Sequence, residues 1–379
     1  MTYKLLSRAA LAAAAGLIAA CNPIPDTIKI GVAQPLSGPL APLGRDMVNG
    51  VQLAVNDLNK RGVVIDGKKV TLEVVTADDK AHPEAGKAAA QQLIEAKVTA
   101  VVGHLNSGVS IAAAPLYAAA HIPQLAISTK PEYTRQGLPT TFRLVANDAL
   151  QAKAMGSYAA RSLNGSSYAV IDDSTPYGKG LADAAAAQIQ QLKKDVTLRK
   201  SLDDKTTDFA ALIPELQQAK VDVIVTTLAD FQVLALIDQL ARAGMKHVQI
   251  LGGDTIKTDK LLKAELPIKG VYATSPIIEP REFLQGKVFL DRYREAFKSD
   301  PVYGSHYAYD AVWVLVAAMQ RAKTVDGEKL TAELKRIDAL APVTNNVRFR
   351  EDGEQHYGVV SVYTARGGVW EALTRSDAW

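Results

Sequence analysis

The chain has 379 residues, 48% of them apolar, a net charge of +3 and a single cysteine. That length favours two lobes over one, and the apolar share suffices for a large core without any disulfide. The charge is small and no cluster of five or more Lys/Arg occurs, which argues against nucleic acid as a partner.

In chain order, Lys4 and Arg8 come first, followed by an apolar run over residues 11–20 that stops at Cys21. The run is too short to cross a bilayer, and Leu17-Ile18-Ala19-Ala20-Cys21 has the register of a lipoprotein processing site whose thiol takes up lipid. Residues 1–20 are expected to be a signal peptide, 21–26 a tether, and Cys21 the membrane anchor of a protein on the periplasmic side of the cell envelope. Asn22, in place of aspartate, points to the outer membrane. No later stretch approaches the roughly 20 apolar residues of a membrane span.

From Thr27 on, β-branched runs alternate with helix-length amphipathic segments. Strands are expected at 28–32, 70–75, 98–103, 125–127 and 142–145, with helices at 44–60, from Pro83, and at 110–120. The rhythm restarts with helices at 149–163, 180–192, 209–219 and 233–243 between strands at 168–171, 196–202, 221–227, 248–251 and 270–276. Two helical segments, 281–298 and 306–322, follow. Alternation at 347–350 and 357–363, with a turn at Arg366-Gly367-Gly368, predicts antiparallel strands at the end. The class is α/β, with two similar units of mostly parallel sheet.

Ligands of such sheets bind beyond the carboxyl ends of the strands. There the first unit presents Leu36-Ser37-Gly38-Pro39, Gly103-His104-Leu105-Asn106-Ser107-Gly108 and Ser128-Thr129-Lys130-Pro131. The second presents Asp172 to Gly178, which includes Tyr177, and Gly252-Gly253-Asp254-Thr255. A zwitterion between the units would find hydroxyl donors for its carboxylate on one side and an acid and a phenol for its ammonium on the other. Each residue also has a plainer role: Ser107 as a helix cap, Thr129 as a turn hydroxyl, Asp254 as a turn cap, and Asp78-Asp79 as caps for the helix at Pro83. His104 reads as a partly buried strand-end residue, because no acidic orienter follows it at a recognisable spacing. Asn164-Gly165-Ser166 reads as a turn. The six histidines form no metal-ligand pair, and hydrolase, P-loop and dinucleotide motifs are missing, so neither a cofactor nor catalysis is expected.

The order and spacing of these fragments over some 300 residues resemble the leucine/isoleucine/valine-binding protein family, type I periplasmic solute receptors of branched-chain amino-acid ABC transporters. The resemblance rests on Ile30-Gly31-Val32 through Pro39, Gly44 and Gly50 leading to Asn56-Asp57-Leu58-Asn59, Asp78-Asp79 with Pro83, and Gly103 to Ser107. It continues through Ile122-Pro123, Thr129-Lys130-Pro131, Tyr177-Gly178-Lys179-Gly180, Asp208-Phe209, Ala241-Arg242-Ala243-Gly244 and Tyr309-Asp310-Ala311. It implies two Rossmann-like lobes, 27–145 plus 275–346 and 146–274 plus 347–379, joined by three crossing segments around a ligand cleft. It also implies a binding set of Leu105, Asn106, Ser107, Ile127, Ser128, Thr129, Tyr177 and Asp254. Ser107 and Thr129, with main-chain groups near Asn106 and Ile127, would hold the ligand carboxylate and part of the ammonium, and Asp254 the ammonium. A monomer that delivers an amino acid to a membrane permease is the implied receptor. Three departures stand out: a disulfide of some members falls on Ala81 and Asn106, and aromatic positions of the side-chain pocket fall on Leu43 and Ala229. An aromatic acid or amide as ligand, or a regulatory lipoprotein without one, stays open.

Overall fold

A computed structural model describes residues 23–378. Cys21 and the expected signal peptide lie outside them. Among the described residues, no helix is long and apolar enough to cross a membrane.

The first sheet comprises β1 (Thr27–Gln34), β2 (Val63–Ile65), β3 (Lys68–Asp78), β4 (Ala100–Gly103), β5 (Gln124–Ala126) and β6 (Thr141–Arg143), in the order β2-β3-β1-β4-β5-β6. All neighbours run parallel except β2 and β3, a hairpin closed by Asp66-Gly67 with φ of 47° and 80°. Positive φ at both turn residues matches the right-handed twist of the strands and suits Asp-Gly. The second sheet comprises β7 (Tyr168–Asp172), β8 (Val196–Ser201), β9 (Val223–Thr226), β10 (Gln249–Gly252) and β11 (Gly270–Ser275). After a small separate hairpin, β12 (Asp338–Ala341) with β13 (Asn345–Arg348), the antiparallel strands β14 (Ser361–Arg366) and β15 (Val369–Arg375) complete it. Its order is β15-β14-β11-β10-β9-β7-β8.

Ile28, Ile30 and Val32 of β1 pack with Met47, Val51 and Leu58 of the Ala41–Arg61 helix. The same core takes in Val312, Leu315 and Met319 of the Ser305–Ala322 helix, so a segment late in the chain completes the first lobe. Gly50 lets these two helices touch: a Cβ there would lie 2.1 Å from the Ser305 carbonyl oxygen. The second sheet is covered on both faces, by Leu216, Leu236 and Leu240 on one and by Met155, Leu181 and Ile189 on the other. Continuous apolar strands such as Val223–Thr226 are what two-sided burial demands.

Four details differ from the sequence reading. The strand expected at 357–363 begins only at Ser361, and the residues before it belong to the segment that passes between the sheets. Val347 and Phe349 pack in the first core, with the Phe349 ring 5.0 Å from that of Phe142, so the chain leaves that core later than residue 347. The helix expected from 281 starts at Gly286, because Pro280–Glu282 forms its own tight turn against which Gly286 packs without room for a side chain. The short elements β2, β12 and the Gly327–Leu334 helix escape a periodicity reading altogether.

Candidate ligand-binding cleft

The candidate residues follow the carboxyl ends of β4 and β5 in one sheet and of β7 and β10 in the other, and the segment that links β6 to the Asp148–Ser162 helix joins the two sheets. Leu105, Asn106 and Ser107 follow β4, all half-buried, and Ser107 opens the Ser107–Ala119 helix. Its hydroxyl accepts a hydrogen bond from the Lys130 N–H at 3.3 Å, which ties it to the loop after β5 that carries Thr129. Ser107 is thus the first helical residue rather than a cap, and the Asn106 side chain does not cap either: its Oδ1 is buried without a partner among the described residues.

Within the β5 loop the predicted residues diverge. The Ile127 side chain is buried in the first core. The Ser128 hydroxyl is 1% exposed, shares a 2.5 Å hydrogen bond with Ser110 Oγ and donates to the His104 carbonyl, while its own carbonyl accepts from Arg143. The Thr129 hydroxyl bonds the carboxylate of Asp148, and the Thr129 carbonyl accepts from the Asp148 N–H at 2.8 Å.

The second lobe brings Tyr177 and Asp254 together. Thr175, as N-cap, accepts from the Gly178 N–H at 2.9 Å, and the Thr227 hydroxyl donates to the Gly178 carbonyl, so the first turn of the Pro176–Gln191 helix is held where Tyr177 can reach across. The Tyr177 hydroxyl donates to Asp254 Oδ1 at 2.7 Å, and Gln151 Nε2 donates to the same oxygen at 3.1 Å. Gln151, fully buried, also donates to the carbonyl and hydroxyl oxygens of Thr274, and its Oε1 has no partner among the described residues.

Four residues that carry no signal in the sequence join this set. Asp148, a first-turn helix acid by its position, has one carboxylate oxygen buried without a partner among the described residues. Burial pushes its carboxyl up to about 6; the Thr129 hydroxyl works against that rise and the charge of Asp254 adds to it. Gln151 lies one helical turn further on. Tyr303 approaches from the first lobe, and burial followed by the charge of Asp254 raises its phenol; Tyr177 is raised likewise by burial, Asp254 and Asp148. Asp46 fixes the Tyr303 loop by accepting the N–H groups of Val302, Tyr303 and Ser305 and the Tyr293 hydroxyl. A continuous acidic and phenolic surface results: Asp148, Asp254, Tyr177 and Tyr303.

His104 is wholly buried rather than partly so. Its Nδ1 pairs with Asp79 Oδ2 at 2.7 Å, and its Nε2 faces the Tyr117 hydroxyl at 3.3 Å. The acidic partner precedes the histidine in sequence, and no serine oxygen meets the ring. Asp79 is therefore a core partner and not a helix cap; His82 caps the helix at Pro83, and Asp78 accepts from the Leu36 and Lys80 N–H groups. Among the described residues no group of three or more His, Cys, Asp or Glu side chains is arranged to hold a metal ion. Leu43 and Ala229 are both half-buried and bring no ring to the side-chain end of the cleft.

Two α/β units whose strand ends bring acids, phenols and hydroxyls together have the build of a binding protein. The chain belongs to the periplasmic binding protein family, whose model matches residues 27–367. It is 31% identical over 330 residues to Leu/Ile/Val-binding protein homolog 1 of Brucella suis, covering 86% of this chain and 87% of that one. Its fold is similar to that of the branched-chain amino acid transporter substrate binding protein LivJ of Streptococcus pneumoniae in complex with isoleucine. There the TM-score is 0.75 and the identity 25%, over 92% of this chain and 99% of the other. A solute-binding protein of an ABC transporter from Rhodopseudomonas palustris in complex with 3,4-dihydroxybenzoic acid shares the fold at a TM-score of 0.75 and 21% identity, over 93% and 97% of the two chains. The protein is a periplasmic binding protein and not an enzyme.

Proposed function

We propose that this protein is a lipid-anchored receptor that closes on an amino acid and passes it to an ABC-transporter permease. One observation carries the choice of ligand. Among the described residues, Asp148 Oδ1 and Gln151 Oε1 are buried acceptors without donors on two residues that neighbour Asp254, and Asn106 Oδ1 is a third in the loop after β4. Buried polar atoms are nearly always satisfied, and acceptors call for a donor; an ammonium is the donor-rich group that also balances two carboxylates. Asp254 and Asp148 hold the ammonium, Tyr177 and Gln151 orient Asp254, and Ser107 with the main chain around Asn106 and Thr129 takes the carboxylate. An aromatic acid without an amine would set its carboxylate against this surface.

In this reading residues 27–145 with the Ser305–Ala322 helix and its neighbours form one lobe, the strands β7 to β11 with β14 and β15 the other, and closure about the crossing segments brings Tyr303 to Asp254. The protein acts as a monomer, and a lipidated Cys21 with Asn22 behind it sets the anchor in the outer membrane. Thermal-shift screening against the twenty amino acids and against benzoate and 3,4-dihydroxybenzoate tests the reading. Stabilisation should grow as RT ln(1 + [L]/Kd) for an amino acid. A shift from the aromatic acids alone would overturn it.

A further inference from the structure

We infer that Glu354 and Arg143 form a positioning pair for the ligand site, an assignment that rests on the amino-acid reading above. Arg143, at the end of β6, is fully buried, and its guanidinium donates to the carbonyls on both sides of Thr129: Nη1 to Ser128 and Nη2 to Lys130 at 2.8 Å. Nε and Nη2 also donate to Glu354, to Oε2 at 3.0 Å and to Oε1 at 3.1 Å, a bidentate geometry that fixes the plane of the guanidinium, and Nη2 lies 3.4 Å from the Thr134 hydroxyl. Glu354 is 8% exposed and comes from the stretch between β13 and β14, which crosses between the sheets. It also accepts from the Thr134 hydroxyl at 2.6 Å and is hydrogen-bonded to Asn147. Asn147 in turn caps the helix that begins at Asp148, its Oδ1 accepting from the Leu150 N–H at 3.0 Å.

One ion pair therefore holds both ends of the proposed ligand. Through Arg143 it sets the Thr129 loop; through Asn147 it sets Asp148 and, a turn on, Gln151. It ties the end of β6 to one crossing segment and, through Asn147, to another, so a motion of the lobes that displaced the Glu354 stretch would be felt at the loop. Stability does not explain the pair. Desolvating two charges offsets most of their attraction, and apolar residues of the same size often serve a core as well. What the pair adds is a defined geometry where a hydrophobic contact would leave the Ser128 and Lys130 carbonyls free to turn.

Glu354→Gln in the full-length chain tests this, with an equimolar mixture of the twenty proteinogenic L-amino acids as titrant and thermal shift as readout between pH 5 and 8. Half-saturation should move up by about tenfold to a hundredfold, the range for one charge-assisted hydrogen bond lost from a network. The pH below which affinity falls should also move down, because Arg143, freed of its counter-charge, would favour the ionised form of Asp148 against Asp254, Glu132 and the neighbouring Tyr177 phenol. A purely structural role would lower the melting temperature and leave that pH profile in place. A folded Glu354→Gln protein with wild-type affinity and profile overturns the inference. Should that variant not fold, Thr134→Val removes one bond to Glu354 and keeps both charges, and should weaken binding by about threefold to tenfold; unchanged affinity there also overturns it. Wild-type protein that ignores the mixture refutes the receptor reading, and this inference with it. Binding that is lost in Asp254→Ala but intact in both the Glu354→Gln and Thr134→Val variants refutes the positioning role alone.

Discussion

Replacing Asp148 with asparagine should stabilise the ligand-free protein and weaken ligand binding, and both effects should depend on pH in a way set by one carboxyl group. Burial and the nearby charge of Asp254 raise the folded-state pKa of Asp148 to about 6, against 3.8 for the free side chain. The folded chain then binds this proton more tightly than the unfolded chain does. Stability from this group falls as pH rises from about 4 to 6, and the full cost is carried above 6. Two pH units correspond to about 3 kcal/mol, an upper figure because the side chain is half-buried and partly screened. Asp148→Asn removes the cost, so urea unfolding without ligand should show the variant up to about 3 kcal/mol more stable at pH 7.5 and equal to wild type near pH 3.5. Binding reverses the sign. At pH 7.5 the amide lacks the charge that faces the ammonium, and affinity should fall by about 2–5 kcal/mol. In wild type at pH 5 about nine-tenths of Asp148 is protonated before binding, so calorimetry should find affinity about tenfold weaker than at pH 7.5. Affinity that is flat from pH 5 to 7.5, or an Asp148→Asn protein no more stable than wild type at pH 7.5, would refute the placing of Asp148 beside Asp254 in the ligand site.

Asp254→Ala should cost about 2–5 kcal/mol of amino-acid binding, because it leaves an ammonium without its main counter-charge, and Ser107→Ala about 1.5–3 kcal/mol; calorimetry at pH 7.5 measures both. Ser107→Ala should lower the melting temperature of the ligand-free protein by no more than about a degree or two, although it gives up the bond from Lys130, whereas Asp254→Ala should lower it by about 2–8 °C, because the Tyr177 hydroxyl and the Gln151 amide lose their acceptor. Gly50→Ala pushes a methyl group into the Ser305 carbonyl and should destabilise the first lobe by about 1–3 kcal/mol in urea unfolding. Cys21→Ser should move the protein from the membrane fraction to the soluble one, or leave it unprocessed, and lipid labelling that persists would count against the anchor.

Much of the fold is legible because two-sided burial turns strands into uninterrupted apolar runs and single-sided burial gives helices a 3.6-residue stripe. Val223–Thr226 and the Ala41–Arg61 helix are examples. The strand-end rule likewise singles out Ser107, Thr129, Tyr177 and Asp254. What stays hidden depends on contacts between distant segments. Asp148 reads as an ordinary acid in a first helical turn, favourable there for the dipole alone, until the fold sets it near Asp254. Tyr303 lies in a loop ahead of a long helix, and only the packing of that helix on the first sheet, with Asp46 as its anchor, aims it at the second lobe. Ser128 shows the converse. A hydroxyl at a strand end invites a ligand role, but the serine pair with Ser110 turns it into the core. Glu354 sits in a polar stretch with no period at all, and its burial beside Arg143 follows from the crossing of the chain between the lobes.

The central claim is that the cleft is built for an ammonium, and the most direct measurement compares two ligands that differ in that group alone. Calorimetry at pH 7.5 should set the amino acid that gives the largest thermal shift beside its analogue with hydrogen in place of the amino group. The carboxylate and side chain are then common to both, and the difference reports on Asp148, Asp254 and the acceptors around them. The predicted result is that the amino acid binds and the analogue binds at least about 30-fold more weakly, the lower end of what a lost buried charge pair costs. Equal or tighter binding of the analogue would contradict the account.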